Sequence, residues 1–202
     1  IVDPSAQTPP FDLSLAAALA IAGADVELVT SHFVHGDVAP AEGYSVSETF
    51  YRRSSRLASG SFARRALGLA EHVPGMLRHR RAAASADIVN YQWLTLPALD
   101  SLLLPRGPRL VMTTHGFLRG AEGGAVAARA LGRMDAAIAL SQYGAQRLRE
   151  SEAIAPERIH VIPHGAFDYL TRLPDERPLP PELEGAEGPV ILSFGLIRPY
   201  KG

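Results

Sequence analysis

Short runs of consecutive apolar residues alternate with longer stretches in which apolar and polar positions recur every three to four residues. The runs at 1–3, 26–30, 87–91, 109–113, 136–140 and 158–162 predict buried strands, and 44–51 predicts a further one. The periodic stretches predict helices over 11–22, 61–72, 74–85, 96–104, 125–134 and 142–150. In the first helix Phe11, Leu15, Ala18, Leu19 and Ala22 fall on one face, and Gly23 ends it as a C-terminal cap. Pro74 and Gly75 predict a break between the second and third helices. Ser141 is placed to cap the helix that follows it. Continuous apolar strands separated by helices specify an α/β fold, a parallel sheet with helices on both faces. Ligands of such sheets bind beyond the carboxyl ends of the strands, so the residues just after each strand are where chemistry is sought.

The pattern changes at residue 173. Five prolines and the acids Asp175, Glu176, Glu182, Glu184 and Glu187 fall between 173 and 189 without apolar periodicity, as in a linker. A new buried strand is expected over 190–194, ending at Gly195. The expected organisation is a first domain over 1–172, a linker over 173–188, and the first strand and loop of a second domain over 189–202. Both chain ends read as trimmed, the first inside a strand and the last inside a motif.

Composition narrows the classes. Apolar residues make up 47% and charged residues 20%, as expected of a globular chain, and the formal net charge of −1 argues against a dedicated nucleic-acid binder. There is no cysteine, so disulfides and thiolate-metal sites are excluded and a cytoplasmic location is permitted. No apolar run is long enough to span a bilayer. Between Arg52 and Arg81 there are eight arginines against one acid, Glu71. Interleaved apolar residues make this segment either a solvated helix pair with a core face or a peripheral contact for an anionic membrane surface.

Several post-strand residues can carry chemistry. His115 and Gly116 follow one strand; an imidazole there either meets a substrate or closes the strand end, and a glycine admits close approach. The loop containing Glu122 between Gly120 and Gly124 reads as a connector more readily than as an anion cradle, and no G-x-G-x-x-G occurs in the chain. His164 and Asp168 follow another strand, on a turn shaped by Pro163 and Gly165; they either reach the cleft or lead to the linker. Arg198 and Lys201 follow the last strand, and two fixed cations there suit a diphosphate. Lys201 is the single lysine in a chain that otherwise uses arginine. His32, His35 and Asp37 have spacing a metal can use, but solvated loops share it, and no metal site is expected.

Residues 195–202 (G-L-I-R-P-Y-K-G) resemble the start of the donor domain in glycosyltransferase family 4. Residues 161–165 (V-I-P-H-G), with Asp168, resemble that family's V-I-P-N-G-V-D segment, and 114–116 (T-H-G) its central histidine segment. Residues 15–31 resemble its first helix and second strand. The resemblance implies the N-terminal half of a GT-B fold, a Rossmann-like acceptor-side domain facing a donor domain. It implies transfer from a nucleotide sugar to a saccharide or lipid-linked acceptor, with retention of configuration, no cofactor and no obligatory metal. GDP-mannose is a candidate donor, which would make the chain a mannosyltransferase, and polysaccharide biosynthesis a candidate role. His115 would lie near the transferred sugar, Gly195, Arg198 and Lys201 would hold the donor, and Gln7, Thr8, Asp12, Gly116 and Glu122 would lie on the acceptor side.

The chain departs from that pattern in three places. Leu196 stands where the family commonly has its arginine, His164 replaces an asparagine, and P-S-A-Q-T-P-P over 4–10 replaces a Gly-rich loop. The family's acidic donor motif would lie past Gly202, so the 202-residue chain alone is expected not to turn over. The competing readings are a Rossmann-like binding module or partner subunit without chemistry, and a different α/β enzyme such as a nucleotide-sugar epimerase. The expected location is cytoplasmic or peripheral at the inner membrane face.

Overall fold

Seven short strands, all parallel, run in the order β3-β2-β1-β4-β5-β6-β7 in a computed structural model of the protein. The structure describes residues 1–34, 38, 40–58, 60–116, 124–167, 178, 180–185, 188 and 191. By contacts the chain divides into two compact units, Ile1–Phe167 and Asp168–Gly202.

The first unit holds the sheet: β1 (Val2–Asp3), β2 (Glu27–Ser31), β3 (Ser45–Phe50), β4 (Ile88–Tyr91), β5 (Arg109–Thr114), β6 (Ala136–Ala139) and β7 (Ile159–Val161). Its helices are α1 (Pro9–Ile21), α2 (Phe62–Ala82), α3 (Pro97–Leu103), α4 (Gly124–Leu131) and α5 (Gln142–Glu150), packed on both faces of the sheet as in a Rossmann-like α/β domain. β1 pairs with β2 on one side and β4 on the other, so the strand order reverses at the β1–β4 border. There the Gln92 amide donates to Val2 O at 2.8 Å. Tyr91, Phe50, Met76, Leu104, Met112, Leu131, Met134 and Leu148 form the centre of the core.

Local chemistry explains most boundaries. α1 ends at Ala22 and Gly23 takes φ +93°, the left-handed geometry that glycine adopts without a Cβ penalty. α5 starts where Ser141 Oγ accepts from the Gly144 amide at 3.0 Å. β3 reads S-V-S-E-T-F and is mostly exposed, as befits an edge strand.

Two expectations fail within this unit. The break at Pro74 does not occur: α2 runs through it without interruption. Gly75 is in the helix because a Cβ there would sit 3.0 Å from Phe50 Cδ1, so its absence lets α2 approach the end of β3. The proline lies on the exposed side, as does Ala70, whose carbonyl loses the amide partner a residue other than proline would supply at 74. The face expected for α1 is also displaced. Ala18, Leu19 and Ala22 are exposed, whereas Pro9, Asp12 and Ala16 are buried. The helix is apolar all round, so periodicity carries no direction, and a buried carboxylate decides it.

In the second unit Pro181–Leu183 forms a single 3₁₀ turn within the expected linker. Of the strand expected over 190–194 only Ile191 is described; it is 97% exposed and lies in no strand. No strand pairs with it among the described residues.

Candidate active site

The sheet reverses its order between β1 and β4, and a polar and aromatic cluster stands at the carboxyl ends of the strands around that border. A crevice at this point is where an open parallel sheet binds its ligand.

From β1 comes Asp3, fully buried. Its Oδ2 accepts from the amides of Gln7 at 2.6 Å and Thr8 at 3.1 Å, so the carboxylate folds the β1–α1 loop around itself. Ala6 in that loop holds φ +48°, a left-handed geometry costly for a residue with a Cβ. Asp3 Oδ1 has no hydrogen-bond partner in the protein, and the Asp12 carboxyl, one turn into α1, interacts with the Asp3 carboxyl. Burial, and then the neighbouring Asp3, holds the Asp12 carboxyl far above the usual carboxylate range. Burial raises the Asp3 carboxyl as well, so the two acids titrate as an interacting pair.

From β4 come Gln92 and Trp93. The Trp93 indole Nε1–H donates to Thr8 Oγ1 at 3.0 Å, which locks the ring to the β1–α1 loop. From β5 comes His115. Its imidazole stacks on Trp93, with centroids 5.2 Å apart and planes at 15°, and meets the edge of Phe11 at 4.7 Å. His115 Nε2 lies 2.9 Å from Gln92 Oε1. With that oxygen facing the ring, Nε2–H is the donor, and Nδ1 keeps a lone pair with no partner among the described residues. Burial, reinforced by the nearby His164, lowers the His115 pKa to about 4, so the ring is neutral at physiological pH. Gln92 is fully buried and its Nε2 has no hydrogen-bond partner. From β7 comes His164, exposed, with its ring 5.1 Å from that of Phe11.

Beside this cluster a pocket of about 560 Å³ opens beyond β1, β2 and β3 and against α2. Ser5, Ala6 and Gln7 line it, and the next residue, Thr8, belongs to the histidine cluster; Thr95 lines it two residues after Trp93. Its inner wall is Tyr51, whose hydroxyl lies 2.6 Å from His72 Nδ1, while His72 Nε2 lies 2.5 Å from Asp100 Oδ1. His72 and Asp100 are both buried, and Asp100 Oδ2 accepts from the Leu96 amide, so Asp100 fixes the imidazole as an Nδ1 acceptor for the tyrosine.

A family model for Glycosyltransferase Family 4 matches residues 13–166. The chain belongs to glycosyltransferase family 4. The matched span contains Gln92, Trp93, His115 and His164, and excludes Asp3, Thr8 and Asp12. No curated protein matches the chain. Family membership carries a glycosyltransferase role, with a sugar donor and an acceptor as its substrates.

The residues singled out in the sequence separate accordingly. His115, Thr8 and Asp12 meet in one cluster, although Asp12 is spent on Asp3. Gln7 is exposed on the pocket, and its amide is spent on Asp3. Gly116 is exposed at φ +129°, with open space where a Cβ would stand. Glu122, Asp168, Gly195, Arg198, Lys201, His35 and Asp37 lie outside the described residues, and His32 pairs with Glu48 at 3.2 Å. Three members of the cluster, Asp3, Gln92 and Trp93, carry no motif. Gln92 and Trp93 directly follow a strand that the pattern does identify, so the post-strand rule reaches them. No helix among the described residues is long and apolar enough to cross a membrane.

Proposed function

We propose that the protein transfers a glycosyl group from a nucleotide sugar to a saccharide or lipid-linked acceptor, with retention of configuration. The carrying observation is the neutral His115 at the β1–β4 border, stacked on Trp93, met by the edge of Phe11 and hydrogen-bonded to a fully buried glutamine. A neutral imidazole with a free Nδ1 accepts a hydrogen bond from a hydroxyl of the transferred sugar without adding charge next to a developing oxocarbenium centre. Gln92 Nε2, a buried donor without a partner, supplies a second polar contact. In this reading Gly195 and the cations Arg198 and Lys201 hold the donor diphosphate and stabilise the leaving group, the work a metal ion does in other transferases.

The test is a panel of nucleotide sugars, GDP-mannose first, measured for binding and turnover on the full-length protein. His115→Ala is expected to lower kcat at least tenfold more than it weakens donor binding. R198A/K201A is expected to weaken donor binding. Equal losses of turnover and binding in the His115 variant remove that residue from the chemistry, and indifference to every activated sugar ends the proposal.

Peripheral membrane contact through the Arg52–Arg81 segment also has an observation behind it. Phe62 is 85% and Leu69 66% exposed on α2, on either side of the exposed Arg65. Co-sedimentation with phosphatidylglycerol vesicles, lost in F62S/L69S, checks it. Equal sedimentation of the variant refutes it.

A further inference from the structure

We propose that the 560 Å³ pocket beside the histidine cluster receives an anionic acceptor, a phosphate or carboxylate carried on a polyhydroxylated group, with Arg64 and Arg65 as its anion anchors. The inference rests on the transferase reading for its role and on the pocket for its chemistry.

Charge is the first argument. Both arginines line the pocket, and neither has a carboxylate partner among the described residues. Arg64 uses one Nη1 donor on Leu57 O at 3.3 Å; its remaining donors are uncommitted. No aspartate or glutamate is among the described lining residues. The one acid of this arginine-rich segment, Glu71, is already consumed: its two oxygens accept the Arg53 amide, the Ser54 amide and the Ser54 hydroxyl. These bonds hold its carboxyl below the usual range against the opposing effect of burial. Asp100 is sealed behind His72, and Glu48 is engaged by His32. The positive charge facing the pocket is therefore uncompensated, and a guanidinium pair suits the oxygens of a phosphate or carboxylate.

Shape and polarity are the second argument. The walls are mixed: Phe33, Val34, Leu69 and Leu96 give apolar surface for the faces of a sugar ring, and Ser5, Gln7, Ser54, Ser55 and Thr95 give hydroxyl and amide groups for its edges. Ser55 is 4% exposed and its Oγ makes no hydrogen bond within the protein. The Tyr51 ring supplies a flat wall, and its hydroxyl is tied down by His72. Tyr51 sits at φ +46°, a left-handed geometry that a bulky residue keeps only when its surroundings fix it. Position is the third argument. Residues 5–7 and 95 line the pocket while Thr8 and Trp93 contact each other in the histidine cluster, so a ligand seated here lies along two loops of the transfer site.

The experiment titrates the full-length protein, without donor, with glucose 6-phosphate, glucuronate, glucose and inorganic phosphate at matched ionic strength. The two charged sugars are expected to bind at least tenfold tighter than glucose or phosphate alone. The ratio between them identifies the anion. R64Q/R65Q is expected to abolish the preference, and R64K/R65K to retain part of it. Chemical-shift changes of the Arg64 and Arg65 side chains on adding glucuronate to the unmutated protein give a readout independent of any variant's folding. Equal binding of glucose and its charged derivatives, or an unchanged preference in R64Q/R65Q, overturns the inference. A loss confined to phosphatidylglycerol vesicles also overturns it, and assigns the arginines to a membrane surface. Undiminished transfer to an anionic acceptor in R64Q/R65Q overturns it and leaves the transferase reading intact. Arginine-dependent binding of charged sugars without transfer from any donor upholds the pocket and refutes the transferase reading.

Discussion

The histidine at the β1–β4 border makes protein stability depend on pH in a way that can be isolated. His115 has a folded-state pKa of about 4 against 6.5 when unperturbed, and burial is the main cause. Between those values the unfolded chain binds the proton and the folded chain does not. This contribution to stability is therefore present above pH 6.5 and drains away as the pH falls through 4. A pKa change of one is worth ~1.4 kcal/mol, so the full effect is at most about 3.4 kcal/mol, of which about 2 kcal/mol is already lost at pH 5. The ring is partly open to solvent, and screening there brings the loss at pH 5 down to roughly 1–2 kcal/mol. His115→Gln removes the titration while keeping a group able to bond to Gln92. Any packing defect the substitution introduces is the same at both pH values and cancels in the difference. Urea unfolding of both proteins at pH 7.5 and 5.0, at fixed ionic strength, should show the stability gap between them moving by roughly 1–2 kcal/mol in favour of the variant at pH 5. A gap constant to within about 0.5 kcal/mol would refute the reasoning, as would an NMR titration placing the His115 ring near pH 6.5.

The acid pair titrates with the opposite sign. Asp12 is held above its ordinary pKa, so its contribution is present at low pH, below about 3.8, and is lost as the pH rises toward the folded-state value. D12N should therefore gain on the unmutated protein by at least ~1 kcal/mol between pH 5 and 8 in thermal unfolding; parallel pH curves would count against a raised Asp12. D100A should cost roughly 3–5 kcal/mol by leaving His72 buried without its carboxylate, and H72M/D100L should recover part of that loss; strictly additive losses in urea unfolding would refute the pairing. G75A should destabilise α2, because crowding against Phe50 at 3.0 Å outweighs a helix-propensity gain of about 1 kcal/mol. In an F50L background the same substitution should become stabilising, and a double-mutant cycle on melting temperatures decides it.

The sheet is legible in the sequence because the inner strands of a parallel sheet covered on both faces read as apolar runs, and caps such as Ser141 and Gly23 act within one turn; the edge strand β3 departs from that pattern. Pro74 misleads for a physical reason. A proline breaks a helix only where its lost hydrogen bond cannot be replaced, and here the exposed side of α2 is solvated while Gly75 is needed against Phe50. His115 stands out as a polar residue at a strand end. Its partners Phe11, Gln92 and Trp93 are supplied by α1 and β4, and which strands are neighbours is a property of the topology alone. Tyr51, His72 and Asp100 are further still from any local pattern, since they come from the end of β3, from α2 and from α3.

Asp3 has a consequence for how ligands are sorted. A loop that follows the first strand of such a sheet ordinarily leaves backbone amides free for an incoming phosphate, and here two of them already hold a carboxylate that belongs to the chain. That resident anion is tethered and cannot diffuse away, so a phosphate arriving at the first turn would compete against a high effective concentration of an internal mimic. The protein is thereby closed to phosphoryl groups at this position, and any discrimination between charged and neutral sugars must be made by side chains elsewhere.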